Sequence, residues 1–310
     1  MRDGLQFRPM HIPDGILTNR IALSLDALSG ASILFASRRF KLELSARMIP
    51  IMGVLSAFIF AAQMLNFPVF GGTSGHLVGG ALLGIMLGPM AGLLTMATVV
   101  VAQALFLQDG GLLALGANIF NIGAITVFSG SAVFRLLGAE QASGRRLALA
   151  GFVAGWFSMV LSASACAFQL ALSNAVPLGI GLTAMGGYHA VIGVAEGALT
   201  AGVISFLHKV RPDLLHRDFT PGFKLVDWAG GLVLVAIPLV VLVLAGSSGL
   251  PDPLQSLLAG PSSIADAAVS PLLSNRNQDL YRVLGYLALF ALFAAIFLAV
   301  RWIRNRKGAS

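Results

Sequence analysis

The chain has 310 residues, of which 57% are hydrophobic and only 11% are charged, and its formal net charge is +7. Soluble domains contain roughly 25% charged residues, so this composition excludes a soluble globular protein and indicates a polytopic membrane protein. The basic balance does not indicate nucleic-acid binding, because the lysines and arginines lie in short clusters between apolar segments. The single cysteine, Cys166, excludes an intrachain disulfide and a multi-thiolate metal site.

Apolar segments recur along most of the chain, and about 20 apolar residues are needed for one transmembrane helix. The third segment is short and rich in glycine, and Pro89 separates it from the fourth, since proline disfavours a helical conformation of the residue before it. The sequence therefore predicts an all-α polytopic membrane protein with about nine transmembrane helices, at residues 18–37, 48–66, 73–88, 89–107, 113–135, 147–173, 186–208, 227–246 and 281–301.

The distribution of Lys and Arg predicts how these spans are oriented. Basic clusters follow the first, fifth, seventh and ninth spans, whereas the loops 67–75, 108–112 and 174–185 contain no Lys or Arg. Cytoplasmic loops carry the excess of basic residues in membrane proteins. We therefore expect a multi-pass protein of a bacterial or archaeal cytoplasmic membrane, with its N-terminus outside and its C-terminus inside.

The same pattern divides the chain into a body and a smaller C-terminal block. Residues 10–208 contain seven spans with short loops, and residues 209–226 form a basic linker that we place in the cytoplasm. Residues 227–310 contain two spans around a long outer loop, 247–280. Residues 1–9 have no signal-peptide pattern, so we interpret them as a leader or a misassigned start.

Two histidines of the body are candidate metal ligands: His11 directly follows Met10, and His76 lies in a glycine-rich stretch. If translation starts at Met10, its α-amino group, the amide nitrogen of His11 and the His11 imidazole can close fused chelate rings around one ion. His76 could supply a fourth nitrogen. Four nitrogens in a plane suit Ni(II) or Cu(II). The alternative for a lone membrane histidine is a hydrogen-bonded packing residue.

His189 and Glu196 are polar residues inside an apolar span, where such residues are costly and often functional. They lie seven residues apart and therefore share one face of the seventh span. His189 could support the metal site or act as a third imidazole. A polar pair that fixes helix packing is an equally good interpretation.

Four more polar residues lie in the outer parts of the body. Asn118 and Asn121 share a face of the fifth span, where they could hydrogen-bond to another helix or hold a ligand loop. Asp14 and Asp109 could attract a cation, although a structural role in a turn explains each of them equally well.

Four motifs occur in a specific order along the body: residues 10–15 (MHIPDG), 72–80 (GTSGHLVGG), 109–118 (DGGLLALGAN) and 189–197 (HAVIGVAEG). In this order they resemble the substrate-capture (S) subunit of nickel/cobalt energy-coupling-factor (ECF) transporters, the CbiM/NikM family. The C-terminal block resembles the two-helix N component of that family, fused to the body.

The resemblance implies a seven-helix body that captures Ni2+ or Co2+ from outside as a transported substrate, with nickel favoured over cobalt and no organic cofactor. It implies that the ion is held by the amine of Met10, by the amide nitrogen and imidazole of His11, and by His76. It also implies three partner chains, a transmembrane coupling (T) subunit and two ATPase subunits. The chain itself has no GxxxxGK[ST] phosphate loop, and we do not expect it to be an enzyme.

The nine residues before Met10 conflict with this ligand set, because an amide replaces the free amine if they are retained. We therefore predict that the native chain begins at Met10. Two other classes of function stay open at this point. One is an intramembrane metal-dependent enzyme that uses His76, His189 and Glu196, and the other is a stand-alone secondary metal carrier.

Overall fold

The structure is a computed structural model that describes residues 11–41, 48–69, 73–137 and 144–212. The predicted leader 1–9, Met10, most of the linker 209–226, and the two-helix block with its 247–280 loop lie outside the described residues. The eighth and ninth predicted spans belong to that undescribed part.

The described residues form a helical bundle with one short β-hairpin. The strands β1 (Asn66–Val69) and β2 (Thr73–His76) pair in antiparallel orientation between the second and third helices. The helices are α1 (Asn19–Lys41), α2 (Met48–Gln63), α3 (Gly80–Leu87), α4 (Pro89–Leu107), α5 (Leu115–Leu136), α6 (Gly144–Leu172) and α7 (Leu178–Val210).

Five of these helices, α1 and α4 to α7, are long and apolar enough to cross a membrane. They coincide with predicted spans one, four, five, six and seven, and the all-α polytopic class is confirmed. The helix α2 has only 16 residues but is strongly apolar. Large side chains such as Leu23, Phe106 and Leu149 are exposed on the outside of the bundle, as expected for surfaces that face lipid.

The third predicted span, 73–88, is wrong in its first half. Its first residues form β2, which pairs with β1 so that His76 lies opposite Asn66, and the helix begins only at Gly80. Glycine causes the difference: Gly79 has φ +77°, a left-handed conformation that other residues rarely adopt, and a side chain there would collide with Ile59. The eight residues of α3 extend about 12 Å, too short to cross a bilayer.

Close approach of α6 and α7 forms one wall of the bundle. A Cβ atom on Gly197 of α7 would lie 2.6 Å from the carbonyl oxygen of Phe152, and one on Gly155 of α6 would lie 3.0 Å from the Cα of Gly197. Small residues at such a crossing let the two backbones touch. This contact fixes the face of α7 that carries Glu196.

The segment before α1 lies inside one end of the bundle. His11 and Ile12 are only 3% and 2% exposed, and Ile12 packs in a cluster with apolar residues of α5 and α6. The backbone N–H of Thr18 donates to Oγ of Ser173, 3.1 Å away, just after the end of α6. The N-terminal segment therefore closes the bundle at the end where α6 terminates.

Candidate metal-binding cavity

The N-terminal segment is held by Asn118, which pairs with Ile12 as a neighbouring strand would. The N–H of Ile12 donates to Oδ1 of Asn118, and Nδ2 of Asn118 donates to the carbonyl of Ile12, both at 3.0 Å. That carbonyl also accepts a hydrogen bond from Gly111 N–H, at 2.9 Å. Both polar backbone groups of Ile12 are therefore satisfied in a buried place, where an unpaired group would be costly.

Asp14 fixes the other side of this contact. Its Oδ1 accepts hydrogen bonds from the N–H groups of Leu113 and Ala114, and its Oδ2 accepts one from Leu112 N–H, at 2.8–3.1 Å. These N–H groups directly precede α5, where a carboxylate is favoured by the helix dipole. The structure thus places Asp14 in a turn.

The backbone nitrogen and the ring Nδ1 of His11 both lie close to Asp109. Its backbone N–H donates to Oδ1 of Asp109 at 3.3 Å, and its Nδ1 lies 3.6 Å from Oδ2 and 3.4 Å from the carbonyl oxygen of the same residue. Both residues are almost fully buried. The amide nitrogen and Nδ1 of His11 therefore face the same neighbour.

His76 ends strand β2, and its ring meets the ring of His11 edge-on, with 6.0 Å between centroids. Its Nδ1 lies 3.2 Å from the carbonyl oxygen of Leu77. Because a carbonyl only accepts, Nδ1 carries the proton and Nε2 keeps a lone pair. Burial, reinforced by nearby His11, lowers the pKa of His76 to about 4, so the imidazole is neutral at pH 7 and able to bind a metal.

Glu196 holds the backbone that follows His76. Its two carboxylate oxygens accept hydrogen bonds from Val78 N–H at 2.8 Å and from Gly79 N–H at 2.7 Å. The carboxylate is buried, and it connects α7 to the loop between β2 and α3. His189 instead contacts its own helix: its Nδ1 lies 2.7 Å from the carbonyl oxygen of Met185.

A cavity of about 60 Å³ lies between the N-terminal segment, the His76 loop and the helices α5, α6 and α7. Three imidazoles line it, those of His11, His76 and His189. Asn118 and Asn121 contribute polar wall, and Asn121 is itself fixed by paired side-chain hydrogen bonds with Gln169 at 2.7 and 2.8 Å. Among the residues that the structure describes, no group of three or more His, Cys, Asp or Glu side chains is arranged to hold a metal ion.

Sequence reasoning missed two sets of residues around this cavity. Gln63 donates from Nε2 to the carbonyl of Val78 at 2.7 Å and accepts from Gln103 at 2.8 Å, so it binds the second polar backbone group of the residue that Glu196 also holds. Met159 and Met185 line the cavity itself. Buried glutamines in apolar spans were a usable signal, whereas methionines are too common in membrane helices to stand out.

The fold and the cavity together define a multi-pass membrane protein with a buried, imidazole-lined site of the kind that suits transition-metal ions. Similarity to known proteins assigns the chain to one family within this class. A family model described as the cobalt uptake substrate-specific transmembrane region, CbiM, matches residues 11–214. The chain belongs to the CbiM family, and the predicted resemblance is confirmed.

Individual relatives agree with this membership. The chain is 45% identical to a putative metal transport protein of Haloquadratum walsbyi, over 68% of this chain and 95% of that one. It is 41% identical to a putative fused nickel transport protein, NikMN, of Archaeoglobus fulgidus, over 69% and 70% of the two chains. The crystal structure of a transition metal transporter superimposes with a TM-score of 0.60 at 31% identity, covering 67% of this chain and 97% of that one.

Proposed function

We propose that this chain is the metal-capturing subunit of an importer that takes up Ni2+ or Co2+. The ion is held by the α-amino nitrogen of Met10, by the amide nitrogen and Nδ1 of His11, and by Nε2 of His76. The observation that carries the proposal is that the buried His11 and His76 rings contact each other edge-on and line one cavity. Relatives named as nickel or cobalt transport proteins support the choice of cargo.

The distance between the two rings allows one shared ion after a small movement. In the planar chelate the amine and the imidazole of His11 lie on either side of its amide nitrogen, so His76 takes the position next to the His11 imidazole. With metal–nitrogen bonds of about 2.0–2.1 Å, two adjacent imidazoles have centroids roughly 4.5 Å apart. The observed separation is 6.0 Å, so the two rings must approach each other by roughly 1.5 Å when the ion binds.

The orientation of His11 supports the chelate in a second way. Its amide nitrogen and Nδ1, the two atoms that close a ring on one metal, already point to the same carboxylate, that of Asp109. The hydrogen bonds of Asn118 and Asp14 hold the segment in position, so less ordering is required when the metal arrives.

The donor set favours nickel, with cobalt second, because four nitrogen ligands in a plane suit Ni(II). Copper would also fit such ligands, but relatives are named for nickel and cobalt. An intramembrane enzyme is less well supported, since Glu196 binds two backbone N–H groups and does not line the cavity that contains His76 and His189.

The binding proposal is tested by nickel titration of the full chain in lipid nanodiscs, prepared with its amino terminus at Met10. We expect one tightly bound Ni2+ per chain, and loss of that ion in His11→Ala and in His76→Ala. His208→Ala is the matched control, because this histidine lies near the far end of α7 and outside the cavity. Tight binding that survives both cavity substitutions would contradict the proposal.

The proposed partners are a transmembrane coupling subunit and two ATPase subunits, with import directed from the outer face where the basic-residue pattern places residue 11. Their contribution is tested by metal uptake into proteoliposomes. We expect uptake that requires ATP and the three partner chains. Uptake by this chain alone, driven by an ion gradient, would instead establish the secondary carrier.

A further inference from the structure

His189 lines the same cavity as the two proposed ligands, and the capture of metal by the chelate gives it no role. Its Nδ1 is 2.7 Å from the carbonyl oxygen of Met185. A carbonyl accepts only, so Nδ1 carries the proton and Nε2 presents a lone pair. Many metal-bound histidines are oriented in this way, with one ring nitrogen bonded to a carbonyl and the other bound to the metal.

Three sulfur-containing residues line the same cavity as this third imidazole. Met185 lies one turn before His189 on α7, and Met159 and Cys166 lie two turns apart on one face of α6, and all of them line the cavity. Imidazole and thioether donors together suit soft and borderline transition metals. The part of the cavity lined by α6 and α7 thus has donors that the chelate does not use.

Met159 lies deeper along α6 than the point where the N-terminal segment joins that helix. The N-terminal segment joins the bundle where α6 ends, through the bond between Thr18 and Ser173. Met159 lies near the middle of the 29-residue helix α6, thirteen residues before Leu172, the last residue of that helix. At 1.5 Å per residue this corresponds to about 20 Å along the helix axis.

We propose that Nε2 of His189 and the thioether sulfurs of Met185 and Met159 form a second, inner metal position, which receives the ion after it leaves the chelate. The proposal rests on the function proposed above. These donors are uncharged and thioethers are weak ligands, so the ion is held less tightly than by the chelate. A site on a transport path must release its ion as well as bind it.

The test is Ni2+ binding to the full chain in nanodiscs, beginning at Met10, followed from one to several equivalents of metal. We expect a tight first ion and a weaker second ion. His189→Gln and Met185→Leu each weaken the second ion by about tenfold or more and leave the affinity for the first within about twofold. Met86→Leu is the matched control, because it makes the same volume-conserving change at a buried methionine outside the cavity.

X-ray absorption at the nickel edge identifies the ligands. We expect sulfur scattering to appear with the second equivalent of Ni2+ and to disappear in the double variant Met159→Leu/Met185→Leu. A wild-type chain that binds one tight ion and no second ion would overturn the inner position and leave the capture proposal intact. Loss of the tight first ion in His189→Gln would also overturn it, since His189 would then belong to the chelate. If the first ion is absent and a sulfur-bound ion remains, the capture proposal fails and the inner position stands.

Discussion

The two histidines that meet in the cavity are held in opposite ways. His11 lies on a segment that is attached by hydrogen bonds to Asn118, Asp14 and Asp109. His76 ends a hairpin, and the two residues after Leu77 are held by Glu196 and Gln63. The first donor therefore lies on a segment before the first helix, and the second lies between two elements of the bundle. Disturbing the first should mainly affect metal binding, whereas disturbing the second should cost more stability.

Among the variants that test this difference, Glu196→Ala is expected to have the largest effect on stability and on Ni2+ binding. The change leaves two buried backbone N–H groups without their acceptor, and each such group costs about 1–3 kcal/mol. We expect a clear loss of thermal stability in detergent together with loss of tight Ni2+ binding. Glu196→Gln keeps one acceptor oxygen and should be intermediate. If Glu196→Ala unfolds at the same temperature as the wild type, the His76 side is not fixed in the way described.

A smaller loss is expected from Gly79→Ala, which changes the same loop by one methyl group. The left-handed backbone at this position, φ +77°, and the contact with Ile59 both disfavour a side chain. The cost of such backbone strain is about 1–3 kcal/mol, measured as a lower melting temperature. Gly186→Ala is the control, because no atom lies within 4 Å of a side chain added there. Equal melting temperatures for the two variants would contradict the tight packing of the loop.

On the His11 side, Asn118→Ala should affect metal binding more than stability. It removes both hydrogen bonds to Ile12 and leaves one buried N–H without its acceptor. We therefore expect nickel affinity to fall by about tenfold, and the melting temperature of the metal-free chain to fall by less than in Glu196→Ala, where two N–H groups lose their acceptor. Asn118→Asp keeps the acceptor for Ile12 N–H and loses the donor, so its affinity should lie between the two. If Asn118→Ala loses stability and keeps its affinity for nickel, the contrast drawn between the His11 side and the His76 side is contradicted.

The smallest effect is expected from Asp14→Asn. Asp14 is exposed, so water can replace part of its interaction with the backbone before α5. One acceptor oxygen is also retained. We expect a change in nickel affinity of about twofold, by the same titration. A loss as large as that of Asn118→Ala would show that Asp14 takes part in binding the metal.

The sequence predicted the helices of the body better than the details of the site. The predicted fourth span, 89–107, has the same bounds as α4. Its start could be predicted because Pro89 marks it. The third span failed because a glycine-rich apolar run has the composition of a membrane helix, while its conformation depends on contacts with Ile59 and other distant residues.

The pairing of site residues could not be predicted for a related reason. Glu196 binds backbone groups 117 and 118 residues away, and Asn118 binds a residue 106 positions earlier. No local pattern encodes such partners. The sequence did single out His11, His76, His189 and Glu196, because polar residues in an apolar environment are conspicuous, but it gave no reason to separate the roles of His189 and Glu196.

X-ray absorption at the nickel edge tests the Met10 chelate directly when the chain that begins at Met10 is compared with the chain of all 310 residues. We expect one Ni2+ bound by four nitrogens in the shorter form, and a weaker site with fewer nitrogen ligands when residues 1–9 block the amine. Identical coordination and affinity in the two forms would contradict a chelate built on the α-amino group of Met10.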